Sequence, residues 1–456
     1  MRINPQIFRQ YDIRGIAEKD ITEDFSYKLG LAFGTIMRNQ NKKRCSVGYD
    51  VRKTSPKYKE ALCDGLREAG VEVVELGMVP TSLMYFSLFN IDVEGGIEVT
   101  ASHNPKEFNG FKLCLGKETF YGEQIQILRE IMEKETWEKR GRATREEYNI
   151  IPDYVSFVKD NIKITKEIKV GIDNGNGVGG VVLKELLKKF PQIKYKDLYF
   201  EPDGDFPHHL PDPTVEKYMQ DLKKLVIKNK LELGIGLDGD ADRIGAVDED
   251  GNIIYGDKLL ALYAYHILKN LKGAEIILDV KCSKGVIEFI ERNGGKVYMW
   301  KTGHSLIKAK LKERKAPFAG EMSGHMFFND KFFGYDDAIY AMLRLFELLS
   351  EENKTLKELV NLIPFYYSTP EIRVDCPDEH KFRIVSELVE KFKNEGYNVI
   401  DIDGARIEFE DGFALVRASN TQPVLVLRFE AKTKERLQEI KKLIYKKLSE
   451  YKEVKL

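Results

Sequence analysis

The chain has 456 residues, 43% hydrophobic and 32% charged, which is enough for several packed cores and excludes a disordered tail. At roughly 100–150 residues per domain, three or four domains are expected. Its 73 acidic and 72 basic residues nearly cancel, which argues against a general polyanion binder, so no nucleic-acid partner is expected.

Cys45, Cys63, Cys114, Cys282 and Cys376 are scattered and never form a CxxC pair, which fits a reducing compartment and excludes a cysteine-built zinc site. The opening MRINPQIFRQYDIRG has no apolar secretory core, and no apolar run reaches the ~18 residues of a membrane-spanning helix. A cytoplasmic protein with no membrane partner is expected.

Along the first two-thirds of the chain, strand-like and helix-like segments alternate. CSVGYDV (45–51) is a short apolar run ending near Asp50, and Tyr58, Leu62, Leu66 and Ala69 then mark one helix face. VEVVELG, a second helical stretch and GGIEVTAS (95–102) follow, the pattern of βαβ units on a mainly parallel sheet. The pattern restarts at IKVGID (168–173) and at AEIILDV (274–280) through VYMWKTG.

Boundaries are expected near 150, where a charged helix leads from Tyr154 to Ile168, near 252 after the turn-like DEDGN, and near 364, where Pro364 ends LKELVNLI. Beyond it come a helix over about 379–395, the strands VIDID, ARIEFE, FALVRA and VLVLRFEA, and a last helix over 434–450. These predict an antiparallel sheet with helices on one face. The fold class is α/β: three α/β segments (1–150, 151–252, 253–364) followed by an α+β domain (365–456).

Five stretches carry candidate chemistry. In TASHNP, Ser102-His103-Asn104-Pro105 forms a loop beyond the carboxyl end of a strand, where open α/β sheets bind ligands. Alone it reads equally as a capping or turn serine. His103 is an adjacent base, but a neighbour in sequence usually points elsewhere.

In ELGIGLDGDADRIGAVDEDG, Asp238, Asp240 and Asp242 follow an apolar strand at alternate positions and can converge on one hard cation. Uncompensated, they repel one another. An EF-hand is rejected because Arg243 occupies the position of the loop glycine and strands flank the loop. A haloacid-dehalogenase-type phosphatase, with an aspartate nucleophile, stays open at this point.

Gly175, Gly177 and Gly180 satisfy G-x-G-x-x-G between a strand and a helix, with Asp197 and Glu201 roughly twenty residues on. This is formally a dinucleotide fingerprint, but a tight strand-to-helix turn is the preferred reading. In GEMSGHMFF, Glu321, Ser323 and His325 share one face if the segment is extended, and suit sugar hydroxyls. In VRASNTQP, Arg417, Ser419, Asn420 and Thr421 offer the fork, hydroxyls and amides that a phosphate dianion needs.

In this order and over this length, TASHNP, DGDADR, GEMSGH and RASNTQP resemble the α-D-phosphohexomutase superfamily, and within it the phosphomannomutase/phosphoglucomutase group. The resemblance covers nearly the whole chain, with one motif per domain. It implies three related mixed-sheet α/β domains and a C-terminal α+β domain around a central cleft.

It implies an isomerase acting between hexose 1-phosphate and hexose 6-phosphate, mannose and/or glucose, with sugar phosphates as its partners. Ser102 is the implied phosphoserine, with one Mg²⁺ per chain held by Asp238, Asp240 and Asp242 against its phosphate. Hexose 1,6-bisphosphate is the implied intermediate and activator. Glu321, Ser323 and His325 are implied for the sugar, and Arg417, Ser419, Asn420 and Thr421 for the distal phosphate. FRQYDIRG (8–15) puts Tyr11 and Arg14 at the site, and Lys112, Arg243, Lys281 and His304 match the remaining basic positions. Arg14 would help neutralise the phosphoserine, and Lys112 or His304 would handle the proton.

Two positions depart from the family. Lys258 stands in GDKLL where many relatives have arginine, and Gln422 in SNTQP replaces a more usual Thr or Glu. GEMSGH favours mannose and glucose phosphates over glucosamine phosphate. Two alternatives stay open: a phosphoglucosamine mutase of the same family, and a non-catalytic sugar-phosphate-binding protein. The oligomeric state, monomer or homo-oligomer, is left open.

Overall fold

The computed structural model describes residues 3–419 and 423–456. The chain divides into two compact units, Met1–Leu259 with Ser323–Glu358, and Leu260–Met322 with Leu359–Leu456.

The first unit is built on two sheets. One contains Ile13–Ile16 (β1), Arg44–Tyr49 (β2), Glu72–Met78 (β3), Gly95–Val99 (β4), Phe108–Leu115 (β5), Glu118–Thr119 (β6) and Arg145–Glu147 (β7). Its order is β1-β5-β4-β2-β3-β7, with β6 paired to β5. β4, β2, β3 and β7 run parallel, as the alternation of strands and helices predicts, while β5 runs antiparallel to β4 and pairs antiparallel with β1 on its other side. The helices Glu23–Asn39 (α1), Ser55–Glu68 (α2) and Thr81–Asn90 (α3) lie between these strands in sequence. Tyr58, Leu62 and Leu66 fall on the buried side of α2, packed with Phe25, Leu29, Val47 and Ile97.

The other sheet holds Ile168–Asp173 (β8), Ile193–Leu198 (β9), Leu233–Leu237 (β10), Ile244–Asp248 (β11) and Ile253–Ile254 (β12), in the order β12-β11-β10-β8-β9. β10, β8 and β9 are parallel, and β11 and β12 antiparallel. DEDGN, read from the sequence as the end of a segment, is therefore the turn of the β11–β12 hairpin. The Asp248 carboxylate makes that turn by accepting the N–H groups of Asp250 (3.0 Å) and Asn252 (2.8 Å).

The returning segment Ser323–Glu358 adds the strand Met326–Phe328 and the helix Ala338–Glu351. Asp337 caps that helix, its Oδ1 accepting the Tyr340 N–H at 2.8 Å.

The second unit has parallel strands Lys296–Trp300, Glu275–Asp279 and Phe318–Gly320, with Glu275–Asp279 between the other two. Its antiparallel sheet runs from Tyr367–Ser368 through Val424–Ala431, Gly412–Ala418 and Ala405–Phe409 to Asn398–Ile400, with Ile372–Asp375 also paired to Val424–Ala431. The helices Asp378–Asn394 and Lys434–Leu448 bury Ile384, Leu388, Ile440 and Ile444 in one cluster with Leu425, Leu427 and Phe429. This is the α+β arrangement predicted for that stretch. The short helix Leu356–Val360 stops ahead of Pro364, so the proline is not what ends it. Among the described residues, no helix is long and apolar enough to cross a membrane.

Candidate active site

Ser102 lies in the loop between β4 and β5, and its φ of +51° is in the left-handed region that non-glycine residues seldom adopt. Two hydrogen bonds hold the loop there: the Ser102 N–H donates to Thr100 Oγ1 at 2.9 Å, and the Asn104 N–H to the Ala101 carbonyl at 3.0 Å. The hydroxyl is buried. Its Oγ lies 2.9 Å from Asp238 Oδ2 and 3.0 Å from His103 Nδ1. His103 therefore does face Ser102, contrary to the sequence reading, because the left-handed turn at Ser102 brings consecutive side chains together.

The aspartates sit on the connection from β10 to β11, just past the carboxyl end of a parallel strand. Asp238 organises the turn: its Oδ1 accepts the N–H groups of Asp242 (3.0 Å) and Arg243 (3.1 Å), leaving Oδ2 for Ser102. Ala241, at φ +58°, completes it. Asp240 Oδ2 accepts from the Thr81 hydroxyl at 2.6 Å and from Lys112 Nζ at 2.6 Å, and Lys112 also contacts Asp242 Oδ2. The aspartates are 0% exposed, and one oxygen of each can lie within 4.8 Å of the others.

Burial and crowding shape their charges. Burial pushes the Asp238 carboxyl well above the usual carboxylate range, the neighbouring Asp242 and Asp240 carboxylates push it further, and Arg243 and Lys112 offset only part. For Asp240, burial is outweighed by the Lys112 ammonium and the Thr81 hydroxyl, and its pKa is lowered. Lys112 shows the reciprocal effect, with burial overcome by the carboxylates of Asp240, Asp242 and Asp336 and its pKa raised. Burial, then Arg243 and Arg14, push His103 well below the ordinary imidazole value, so its ring is neutral.

The metal implied by the sequence resemblance fits this group. Asp240 Oδ1 and Asp242 Oδ1 are buried without a hydrogen-bond partner among the described residues, and the donor set is all carboxylate oxygen, which suits Mg²⁺. A second grouping, Asp242, His325 and Asp336, also has ligand-like spacing. There the Arg243 Nε–H donates to His325 Nε2 at 2.9 Å, which assigns the ring proton of a neutral imidazole to Nδ1, 2.9 Å from Asp336 Oδ2. Nδ1 then has no lone pair for a metal.

The other expected residues are distributed as follows. Arg14 Nη1 donates to Asn104 Oδ1 at 2.7 Å and Nη2 to Asp12 Oδ2 at 2.5 Å, while Tyr11 is half-buried in the same N-terminal segment. Residues 321–325 are a turn with Gly324 at φ +92°, not an extended strand. The expected common face of Glu321, Ser323 and His325 is therefore not formed. His325 is bonded to Arg243 and lies beside Asp336, and Ser323 is half-buried.

In the second unit, Glu321 Oε1 accepts the Gly303 N–H at 2.6 Å, immediately before His304 opens the helix His304–Arg314. Asp403 Oδ2 joins the same turn to the strand bearing Arg417, lying 3.0 Å from the Thr302 nitrogen, 3.0 Å from Arg417 Nε and 2.8 Å from Nη2. Lys281 Nζ is 3.3 Å from Glu371. Ser419 is half-buried, its N–H donating to the Val424 carbonyl at 3.1 Å. Asn420 and Thr421 lie outside the described residues, as does Gln422.

The glycine-rich turn is occupied by its own chain. A Cβ at Gly177 would meet the Gly239 carbonyl oxygen at 2.8 Å, one at Gly180 would collide with that of Phe200, and Gly175 is at φ +53°. The Val178 N–H donates to the Gly239 carbonyl at 2.9 Å. Gly177 packs the turn onto the aspartate loop and Gly180 onto the Phe200 backbone, which leaves no cradle of the kind a dinucleotide would need.

Sequence reading passed over Thr81, Asp336 and the pair Asp50–Arg52. Asp50 was visible only as the end of an apolar run, and nothing in the sequence marks which distant loop a buried arginine will bind.

A neutral histidine beside a buried serine, held against a cluster of carboxylates with ammonium and guanidinium groups nearby, is the equipment of metal-assisted phosphoryl transfer. Residues 5–139, 152–251 and 255–366 match phosphoglucomutase/phosphomannomutase alpha/beta/alpha domains I, II and III, and residues 371–447 match the C-terminal domain of the same family. The chain belongs to the phosphoglucomutase/phosphomannomutase family.

It is 42% identical over 435 residues to a phosphomannomutase/phosphoglucomutase of Pseudomonas aeruginosa, covering 95% of this chain and 94% of that one. It is also 42% identical over 439 residues to a phosphoglucomutase of Neisseria meningitidis, covering 95% of each. The crystal structure of a phosphoglucomutase/phosphomannomutase family protein from Burkholderia thailandensis superposes with a TM-score of 0.93 at 40% identity, covering 98% of this chain and 97% of that one.

Proposed function

We propose that this chain interconverts the 1- and 6-phosphates of mannose and/or glucose through a phosphorylated Ser102 and a hexose 1,6-bisphosphate. The observation that carries this is the buried Ser102 hydroxyl, 2.9 Å from one of three carboxylates with the spacing of a cation site. The family's membership and the relatives' names support it.

Bound by Asp238, Asp240 and Asp242, a Mg²⁺ would supply charge neutralisation at the phosphoryl oxygens. Arg14 adds a second positive charge: it is tied to Asn104 of the serine loop, and its Nε is buried without a protein partner among the described residues, which suits an anion. The phosphoryl group leaves Ser102 Oγ for the free hydroxyl of a hexose phosphate. The P–Oγ bond breaks, a P–O bond to the sugar forms, and the hydroxyl proton ends on Oγ. The bisphosphate then turns around and returns its other phosphoryl group to Ser102, reversing the proton transfer.

His103 Nδ1, 3.0 Å from Oγ, is proposed as the hydrogen-bond partner that orients the serine hydroxyl. Lys112 and His304 are the proposed partners for the sugar hydroxyl. Tyr11, Arg243, Lys281, Glu321, Ser323 and His325 are proposed for the substrate, with Arg417, Ser419, Asn420 and Thr421 for its distal phosphate. The bonds from Asp403 to Arg417 and Thr302 support the last group acting together with the turn of His304.

Mannose 1-phosphate, glucose 1-phosphate and glucosamine 1-phosphate assayed side by side, with Mg²⁺ and a trace of bisphosphate, test this. Conversion of the mannose and glucose compounds without net phosphate release is expected. Net phosphate release would make the protein a phosphatase, fastest turnover of glucosamine phosphate would make it a phosphoglucosamine mutase, and binding without turnover would make it a sensor.

A further inference from the structure

Arg52, just beyond β2, is 1% exposed and spends its whole guanidinium inside the protein. Nη1 donates to the carbonyl oxygens of Pro105 (2.7 Å) and Phe108 (3.0 Å), and Nη2 to those of Ser102 (2.8 Å) and Asn104 (2.6 Å). Nε donates to Asp50 Oδ2 at 3.1 Å. The five N–H donors of a guanidinium thus meet five acceptors, four of them backbone carbonyls: three in the loop that carries Ser102 and one, Phe108, at the start of β5.

Asp50 extends the clamp to the other side of the serine. Its Oδ1 accepts from the Arg52 N–H (3.0 Å) and the Ser55 hydroxyl (2.6 Å), and its Oδ2 from the Thr100 hydroxyl (2.8 Å). Thr100 Oγ1 in turn accepts the Ser102 N–H. Both backbone polar groups of Ser102 are therefore anchored on the Asp50–Arg52 pair, the carbonyl directly and the N–H through Thr100. The residue they anchor is the one held at positive φ. Such a conformation persists only where its surroundings over-determine it.

We propose that Arg52 is the positioning residue for Ser102: it holds the loop backbone in the single arrangement that aims Oγ at the aspartate cluster. This rests on the reading that Ser102 carries the transferred phosphoryl group. With its donors spent on carbonyls, Arg52 has none to offer a substrate, so its effect falls on the rate of transfer and not on sugar-phosphate binding. Lysine in its place keeps a charge but loses the planar fork, and cannot span four carbonyls.

The full-length Arg52→Lys protein with Mg²⁺ tests this in the mutase assay, with thermal melting to count folded protein. The expected result is kcat lower by about 100-fold with KM changed by less than about 3-fold. A second readout is the phosphorylated enzyme without sugar, followed by intact mass. A loosened loop should lose its phosphoryl group to water faster, the water oxygen replacing Oγ on phosphorus and a water proton passing to Oγ.

An unchanged kcat per folded molecule, or a rise confined to KM, overturns the proposal. Wild-type protein without mutase turnover would overturn the functional reading itself, and is thereby distinguished from wild-type turnover with an unaffected variant. If Arg52→Lys does not fold, Arg52→Gln, which keeps two donors, is expected to show the same fall in kcat. If neither folds, Arg52 serves folding alone and the proposal falls.

Discussion

The Ser102 hydroxyl lies 2.9 Å from Oδ2 of Asp238, a residue 136 positions further along the chain. The contact is directional because Asp238 commits its other oxygen to the N–H groups of Asp242 and Arg243. Ser102→Ala removes the hydroxyl and little volume. It is expected to abolish mutase turnover while leaving sugar-phosphate binding, measured by calorimetry, within a few-fold of wild type. Intact mass should show a phosphoryl group on the wild type and none on the variant. Full activity in the alanine variant would remove Ser102 from the mechanism.

A Mg²⁺ held by the buried carboxylates, as proposed, would make the protein's stability depend on metal. Adding Mg²⁺ to chelator-stripped protein is expected to raise the melting temperature, a gain on the order of 3 kcal/mol at roughly 100-fold excess over Kd. Asp240→Asn relieves repulsion and keeps an oxygen but removes a negative charge from the proposed cation site, so the Mg²⁺-dependent part of the shift should shrink sharply. A variant that keeps the whole shift would place the cation elsewhere.

Gly239 is where the two loops touch: a Cβ there would collide with the Ser102 carbonyl oxygen and meet Pro211 at 3.2 Å. Gly239→Ala must therefore push the aspartate loop from the serine loop. Its kcat is expected to fall on the order of 100-fold, with a smaller change in KM. A kcat near wild type would mean that the loops need not be in contact.

Asp337 supplies a pH test of the fold. Burial pushes its carboxyl up to about 7, against the hydrogen bonds from the Tyr340 N–H and the Tyr154 hydroxyl. Its folded pKa is thus above the unfolded value of about 3.9, so the folded chain binds the extra proton between them. Its contribution to stability is complete below about pH 4 and is lost as pH rises through about 7. Asp337→Asn keeps a capping oxygen without the charge. It should match wild type near pH 4 and exceed it by on the order of 4 kcal/mol above pH 8, read from denaturant melts. Parallel pH profiles for the two proteins would refute the assignment.

Much of this protein was legible in one dimension. The alternation of strands and helices marked the parallel strands, and the spacing of Tyr58, Leu62 and Leu66 marked a buried face, because both rest on local backbone periodicity. TASHNP and DGDADR were legible because loops after parallel strands collect polar groups at one sheet edge. The same logic failed at GEMSGH, where two-residue periodicity holds only for an extended chain and Gly324 turns the segment instead.

By itself the sequence determined the strands and helices, the order of the motifs and the residue types available for chemistry. Tertiary structure alone decided which of those residues meet: His103 with Ser102, Lys112 between Asp240 and Asp242, His325 with Arg243, and Arg52 with three carbonyls of the serine loop and that of Phe108. The reason is physical. A hydrogen bond between residues 136 apart, or the sign of a single φ at Ser102, is set by packing and by the need to satisfy every buried polar group, and neither leaves a periodic trace in the chain.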